Sequence, residues 1–366
     1  MANDTWTDDQ LKALDALEKW SVTPGGSPRS ALLGLAGTGK TTVVTELIAR
    51  LQANGLSTII CAPTGKAASV LRRKGAEHAS TLHSAIYTVV DDTRGAEIKW
   101  RVRDDARRAT LAIVDEASML TTEMLRDLAG VVKRILLVGD PGQLPPVSGD
   151  AALSAPMPRH ILTTIHRQAK DSGIVRFAHA VRSKKSIREA LREGGSDVVQ
   201  GLAPDPEKVG VILCASNRQR LASNSEARMC RGFSGVLPNV GETLMCLKNR
   251  QDGWVNGMTC TVTSIEQLDK ERALLGALCD DGTPRDSIVW LAQLTSEKML
   301  YWRDAPEGAQ PFAYGYACTV HKAQGSEWDA VECVESWPER PGEEEMARKW
   351  RYTCATRAKT RLYWAA

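Results

Sequence analysis

The 366-residue sequence predicts an α/β fold in two domains interrupted by two β insertions, and three observations predict it. The length exceeds what a single hydrophobic core commonly serves. The first half alternates short apolar runs with amphipathic stretches of helical spacing, the rhythm of a parallel sheet covered by helices. Between Gly241 and Pro311 that rhythm stops, and strand-like runs separated by turn signals replace it.

Taken in order, "SALLGL" supplies a buried strand, "LLGLAGTGKTT" a glycine loop, and "TTVVTELIARLQ" an amphipathic helix. Gly34, Gly39, Lys40 and Thr41 match G-x-x-x-x-G-K-[ST], whose backbone N–H groups and helix dipole face phosphates. Lys40 would hold the β- and γ-phosphates of ATP, and the Thr41 hydroxyl would ligate Mg²⁺. A second strand, "TLAIV", ends in Asp115 and Glu116. There Asp115 can hold the Mg²⁺ shell and Glu116 can orient or deprotonate an attacking water, which points to hydrolysis rather than transfer to a hydroxyl. Read alone, acidic residues end strands because they tolerate solvent; the upstream loop shifts the reading to chemistry. Further strands at "STIICAPT", "RILLVGD" and "HILTTIH" place Pro63, Thr64, Gly65 and Lys66, then Asp140, Gln143 and Leu144, then His166, Arg167 and Gln168 at strand ends, where ligands of parallel sheets bind.

Composition sets the outer limits. Hydrophobic content of 43% and charged content of 25% are ordinary for a globular protein, and a net charge of +3 requires any nucleic-acid surface to be local. The nine cysteines form no C-x-x-C pair and mostly sit in apolar runs, so they read as reduced, buried thiols rather than a disulfide or zinc framework. "MANDTWTDDQ" lacks a basic-then-apolar signal, and no apolar run approaches the roughly eighteen residues of a membrane span. The expectation is a soluble cytoplasmic protein.

Between Ala85 and Ala109, "IYTVV" and "EIKWRV" alternate about Arg94-Gly95 as a β-hairpin would. Trp100 on it serves either as an apolar wedge or stacking surface, or as a ring packed on its own domain. In the second half, "VGVILCAS", "DAVECVES" and "TRLYWAA" return to buried strands, and "EEEMARKWRYTCATRA" to a helix. The Gly241–Pro311 stretch reads as a small antiparallel barrel.

The ordered blocks resemble the superfamily 1 helicases, and within them the RecD-like and Dda-like branch. "LAGTGKTT" (with Gly37, Thr38, Gly39, Lys40, Thr41 and Thr42) is similar to the Walker A motif, "APTGKAA" to motif Ia, "STLHSAI" to motif Ib, and "IVDEAS" to motif II. "LLVGDPGQLPPV" resembles motif III, "TTIHRQ" motif IV, "CTVHKAQGSEWD" motif V and "RYTCATRAKTRLYW" motif VI. The resemblance implies two RecA-like domains, the first at 1–171 with a short β-hairpin pin at 85–109, the second at 172–240 and 312–366 with an SH3-like β-barrel at 241–311. It implies Gln143 as a γ-phosphate sensor, Arg167 and Arg357 as arginines reaching the γ-phosphate, Glu327 near the nucleotide, and Gln10 presenting its amide to the adenine edge. It implies a single-strand groove at Pro63, Thr64, Thr81, His83, Thr319, His321 and Lys322, whose hydroxyls, imidazoles and amides grip phosphates without reading bases.

The activity implied is that of an ATP-dependent DNA helicase moving 5′ to 3′ on single-stranded DNA and opening forked duplex, acting as a monomer in a bacterial or phage-infected cell. Two alternatives stay open at this point: a superfamily 1 RNA helicase, and a nucleotide-gated binding protein that remodels without unwinding.

Overall fold

The computed structural model describes residues 6–73, 75–90, 99–103, 109–166, 169, 171–250, 252–338 and 340–365. The chain divides into two compact units, Met1–Asp171 and Ser172–Ala366.

The first unit is a wholly parallel sheet between two layers of helices. Its strands, β1 (Arg29–Gly34), β2 (Thr58–Ala62), β3 (Ser80–Thr81), β6 (Leu111–Val114), β7 (Arg134–Gly139) and β8 (Arg159–Leu162), run in the order β3-β2-β6-β7-β1-β8. Successive residues of a strand face opposite sides, and both sides are apolar. Leu32, Ile113, Leu136 and Val138 pack with Leu14 and Leu17 of α1 (Asp8–Val22), Leu47 and Leu51 of α2 (Lys40–Ala53), and Leu71 of α3 (Gly65–Arg73). Their strand neighbours Ala31, Leu33, Ala112 and Val114 pack on the other side with Ile86 of α4 (Leu82–Ile86) and Leu125 and Leu128 of α5 (Thr122–Ala129). A two-stranded antiparallel ladder, β4 (Tyr87–Val90) with β5 (Lys99–Val102), leaves this layer after α4, with Val89 opposite Trp100. The expected Arg94-Gly95 turn lies outside the described residues.

The second unit holds another parallel sheet, β17-β10-β18-β19-β9, made of β9 (Val198–Gln200), β10 (Val211–Cys214), β17 (Ala317–Thr319), β18 (Trp328–Val334) and β19 (Ala358–Ala365). Around it lie α6 (Gly173–Arg182), α7 (Ile187–Gly194), α8 (Asn217–Cys230), α10 (Val320–Ala323) and α11 (Glu344–Ala355). Trp364 is buried between Phe177, at 5.0 Å between ring centroids, and Trp350, at 6.4 Å. Contrary to the expectation of reduced thiols throughout, Cys333 of β18 and Cys354 of α11 are joined as a disulfide, because strand and helix pack with these Cα atoms 6.6 Å apart. Among the described residues the other seven cysteines form no disulfide, and six of them are buried.

Between β10 and β17 the chain builds a six-stranded sheet, ordered β15-β14-β13-β12-β11-β16, from β11 (Thr243–Cys246), β12 (Thr259–Gln267), β13 (Arg272–Cys279), β14 (Pro284–Trp290), β15 (Ala309–Gln310) and β16 (Phe312–Tyr314). It is antiparallel except for the short β14–β15 pairing, and it takes in Phe312–Tyr314, three residues beyond the stretch the sequence marks out. Between β14 and β15 lies α9 (Leu291–Leu294). Arg228 of α8 fastens the sheet: its Nε and Nη2 donate to the two oxygens of buried Glu242 at 2.6 and 2.9 Å, and its guanidinium lies 3.9 Å from the Tyr314 ring centroid. Among the described residues no helix is long and apolar enough to cross a membrane.

Candidate functional site

Because every strand of the first sheet is parallel, the loops after β1, β2, β6, β7 and β8 leave from one edge. The loop after β1 is built on left-handed glycines, Gly37 at φ 81° and Gly39 at φ 78°, a conformation that turns amides outward without a Cβ penalty. Side chains close on it tightly. A Cβ on Gly39 would sit 2.2 Å from Gln10 Nε2 and 2.8 Å from His166 Nε2, and one on Gly34 would sit 2.4 Å from Thr38 Oγ1. Lys40 Nζ donates to the carbonyls of Gly34 (2.7 Å) and Leu35 (3.1 Å), so its ammonium is held over the loop. Thr41 and Thr42 form the first turn of α2.

Gln10 is 1% exposed, and its amide is engaged within the protein: Oε1 accepts from Thr7 N (3.1 Å), and Nε2 bonds Thr38 O (3.1 Å) and His166 Nε2 (2.7 Å). The sequence suggested an amide turned to a base edge; in the structure the same amide braces the phosphate loop. His166, legible beforehand only as a strand-end residue, also donates its backbone N–H to Gly37 O at 3.1 Å. Asp9 ties the start of α1 to this loop by accepting from the N–H groups of Thr163 (2.8 Å) and Thr164 (2.9 Å). Desolvation raises the Asp9 pKa, but hydrogen bonds from the Thr7 hydroxyl and these two amides outweigh it and hold the carboxyl below its usual range. Arg167 lies outside the described residues.

At the end of β6, Asp115 Oδ1 accepts the N–H of Glu116 at 2.9 Å. Glu116 itself has φ 53°, a left-handed conformation that a β-carbon makes costly. After β7, Asp140 Oδ1 accepts Gly142 N (2.8 Å) and Asp140 O accepts Gln143 N (3.1 Å), a tight turn that buries Gln143 to 7% exposure. Among the described residues Gln143 Oε1 has no hydrogen-bond partner, and such an orphan in a native interior calls for a partner supplied from outside.

In the second unit Arg357 is 4% exposed, and its Nε, Nη1 and Nη2 donate to Thr353 O (3.2 Å), Ser326 O (3.1 Å) and Thr356 Oγ1 (3.2 Å). The motif suggested a projecting finger; here neutral oxygens hold the guanidinium inside its own unit. Glu327 beside it is exposed.

The candidate strand-gripping residues all stand at strand-to-helix junctions. Pro63 and Thr64 follow β2, where Thr64 Oγ1 accepts Ala67 N at 3.2 Å; Thr81 caps α4 by accepting Ser84 N at 3.2 Å, with His83 exposed in the next turn. Thr319 is the N-cap of α10, which carries His321 and Lys322. Desolvation pushes the His321 pKa down. The side chain of Trp100 lies outside what the structure describes.

Two family models match the chain: an AAA domain over residues 9–205, more than half of it, and a UvrD-like helicase C-terminal domain over residues 314–364. The chain is 28% identical over 386 aligned residues to the ATP-dependent RecD2 DNA helicase of Deinococcus radiodurans, covering 98% of this chain and 48% of that protein. It is 32% identical over 348 residues to the conjugal transfer protein TraA of Agrobacterium fabrum, covering 84% and 29%. It thus spans less than half the length of either relative. A Bacteroides Pif1 solved bound to single-stranded DNA shares the fold, with a TM-score of 0.65 at 18% identity over 98% of this chain and 92% of that one. The chain therefore belongs to the AAA-domain family that matches more than half of it, and with a UvrD-like helicase C-terminal domain at 314–364 it is similar to the superfamily 1 helicases of the RecD type.

Proposed function

We propose that this protein is an ATP-dependent DNA helicase that moves 5′ to 3′ on single-stranded DNA and opens the duplex ahead of it. The observation that carries the reading is the edge of the first sheet, where a left-handed glycine cradle, a strained Glu116 and the orphaned Gln143 oxygen leave from neighbouring strands. The cradle suits a nucleotide polyphosphate: its left-handed Gly37 and Gly39 lead straight into the start of α2, where backbone amides and the helix dipole favour an anion. Lys40 would exchange its two carbonyl partners for β- and γ-phosphate oxygens. The Thr41 hydroxyl and the Asp115 carboxylate are the hard oxygen donors that Mg²⁺ prefers, and the ion would supply charge neutralisation on the phosphates.

Glu116 accepts a proton from the attacking water, and Gln143 gains its missing donor there. Arg357 would give up Ser326 and Thr356 for the γ-phosphate and stabilise the charge that develops on it. Arg167 is assigned the same role, and Glu327 a place near the nucleotide. Gln10 holds the loop until a base edge replaces Thr38 and His166. Thr64, Thr81, His83, Thr319, His321 and Lys322 would grip backbone phosphates. The β4–β5 ladder is assigned the role of a pin carrying Trp100, and the six-stranded sheet that of an SH3-like module covering the strand.

The test is unwinding of two tailed duplexes, one with a 5′ and one with a 3′ single-stranded overhang, with Lys40→Ala as control. Opening of the 5′-tailed substrate alone is expected. Hydrolysis stimulated by single strands with neither duplex opened would leave a translocase or remodeller, and stronger stimulation by RNA than by DNA would change the track.

A further inference from the structure

The strand-gripping residues assigned to the second unit above, Thr319, His321 and Lys322, are given to backbone phosphates rather than to base faces. The loop between α9 and β15 supplies an aromatic ring. Tyr301 is 80% exposed and Met299 52% exposed. A single exposed apolar residue needs no explanation; what sets this one apart is how firmly its loop is held and where.

Gln293, only 2% exposed, reaches into the loop at two points: its Nε2 donates to Lys298 O at 3.0 Å and its Oε1 accepts Leu300 N at 2.8 Å. Ser296 Oγ donates to the same Lys298 carbonyl at 2.8 Å, and Asp304 N donates to Tyr301 O at 2.9 Å. The backbone leading into Tyr301 and the Tyr301 carbonyl are therefore both hydrogen-bonded within the loop.

Arg220 of α8 fastens that base to the strand-binding edge. Its Nη2 donates to Ser296 O at 2.8 Å and its Nε to Asn217 Oδ1 at 3.1 Å. Four residues on, Asn224 brackets β17, donating to Ala317 O and accepting from Ala317 N, both at 3.0 Å. Strand β17 ends at Thr319, from which α10 presents His321 and Lys322. Arg220 is 7% exposed, and among the described residues its Nη1 has no hydrogen-bond partner. Desolvation and then the Arg220 charge push the Lys322 ammonium below its usual range, so the two cations act on each other. A buried cation beside a second cation is the electrostatic floor that a polyanion backbone would compensate.

We propose that Tyr301 is a base-stacking platform on the single-strand path of the second unit, held in place through Arg220 and Gln293 beside the phosphate-gripping end of β17. This rests on the helicase reading. Stacking on an aromatic ring is indifferent to base identity, so it adds affinity without sequence preference. It also gives the chain a contact with the bases themselves, which hydroxyls and lysines on phosphates do not.

The experiment compares binding of oligo-dT and of an abasic oligonucleotide of equal length by the wild type, Tyr301→Ala and Tyr301→Phe, each over a series of salt concentrations. Tyr301→Ala should weaken oligo-dT binding about tenfold, a stacking-sized effect, and leave the affinity for the abasic strand and the slope of log K against log salt as in the wild type. Tyr301→Phe should bind oligo-dT as the wild type does. Equal oligo-dT affinity for the wild type and Tyr301→Ala overturns the proposal, as does an equal loss on both strands, which would mark a structural role. A wild type that binds neither strand would instead overturn the helicase reading beneath it.

Discussion

The two α/β units use one strand-loop-helix topology for two different loops. After β1 the chain passes through two left-handed glycines before α2 begins; after β10 it reaches α8 in three residues, with Ser216 Oγ accepting Gln219 N at 3.2 Å. The first helix starts on Gly39, which has no side chain to cap it, and the second satisfies its helix start with the Ser216 hydroxyl. The first unit sets a left-handed Glu116 at the end of a strand. The second buries two guanidinium groups, Arg220 and Arg357, among neutral oxygens. The sheets alike carry the loops; the chemistry differs because the loops differ.

Variants can break this contrast, and the largest effect is expected in the second unit. Arg357→Ala should lower strand-stimulated ATP hydrolysis by about 10³-fold or more, the scale of an arginine acting on a transferring phosphoryl group. A fall in Tm with unchanged turnover per folded molecule would make Arg357 an interior strut instead. In the first unit, Glu116→Gln should lower turnover by about 10²- to 10⁴-fold through loss of the base, while nucleotide binding measured by fluorescence stays unchanged; a matching loss of nucleotide affinity would move Glu116 from chemistry to binding.

Two glycine substitutions then sharpen the comparison. Among the described residues Glu116 and Lys184 are the non-glycine residues with positive φ, at 53° and 64°. Glycine at either should raise Tm by about 2 °C by relieving the left-handed strain, but only Glu116→Gly should also abolish hydrolysis. Equal activity of the two variants would separate the strain from the mechanism.

The smallest expected effect depends on pH. The Asp9 carboxyl is held below its usual range by the Thr7 hydroxyl and the Thr163 and Thr164 amides, against desolvation. Its contribution to stability is therefore present above the unfolded carboxylate value of about 4 and is lost as pH falls toward the folded value. The wild type should melt a few degrees above Asp9→Asn at pH 7, with the gap constant down to about pH 5 and closing below it. A gap that does not close with acid would assign the effect to packing rather than to charge.

Much of this was legible because it is local. The alternation of Ala31, Leu32 and Leu33 between two apolar faces, the glycine spacing around Lys40, and the acid pair after a run of four buried residues need nothing beyond neighbouring positions in the chain. The same holds for the antiparallel stretch after Gly241, although β16 extends its sheet past Pro311 because Tyr314 pairs with Leu244. The parts that were missed depend on segments far apart. Cys333 and Cys354 meet because α11 packs on β18, which no cysteine spacing reveals.

By itself the sequence determined the phosphate loop and the parallel character of the first sheet, since each follows from residue types at short spacings, while the resemblance of its ordered motif blocks pointed to the family. The tertiary structure decided which side chains close on that loop. His166 and Gln10, 156 residues apart, meet over Gly39 because β8 pairs with β1, Gly34 opposite Leu162. It likewise decided that Arg357 is drawn inward and that Arg220 ties the Tyr301 loop to the end of β17. Strand order in a sheet and the reach of a guanidinium toward a carbonyl are set by long-range packing, which the periodicity of a single chain does not encode.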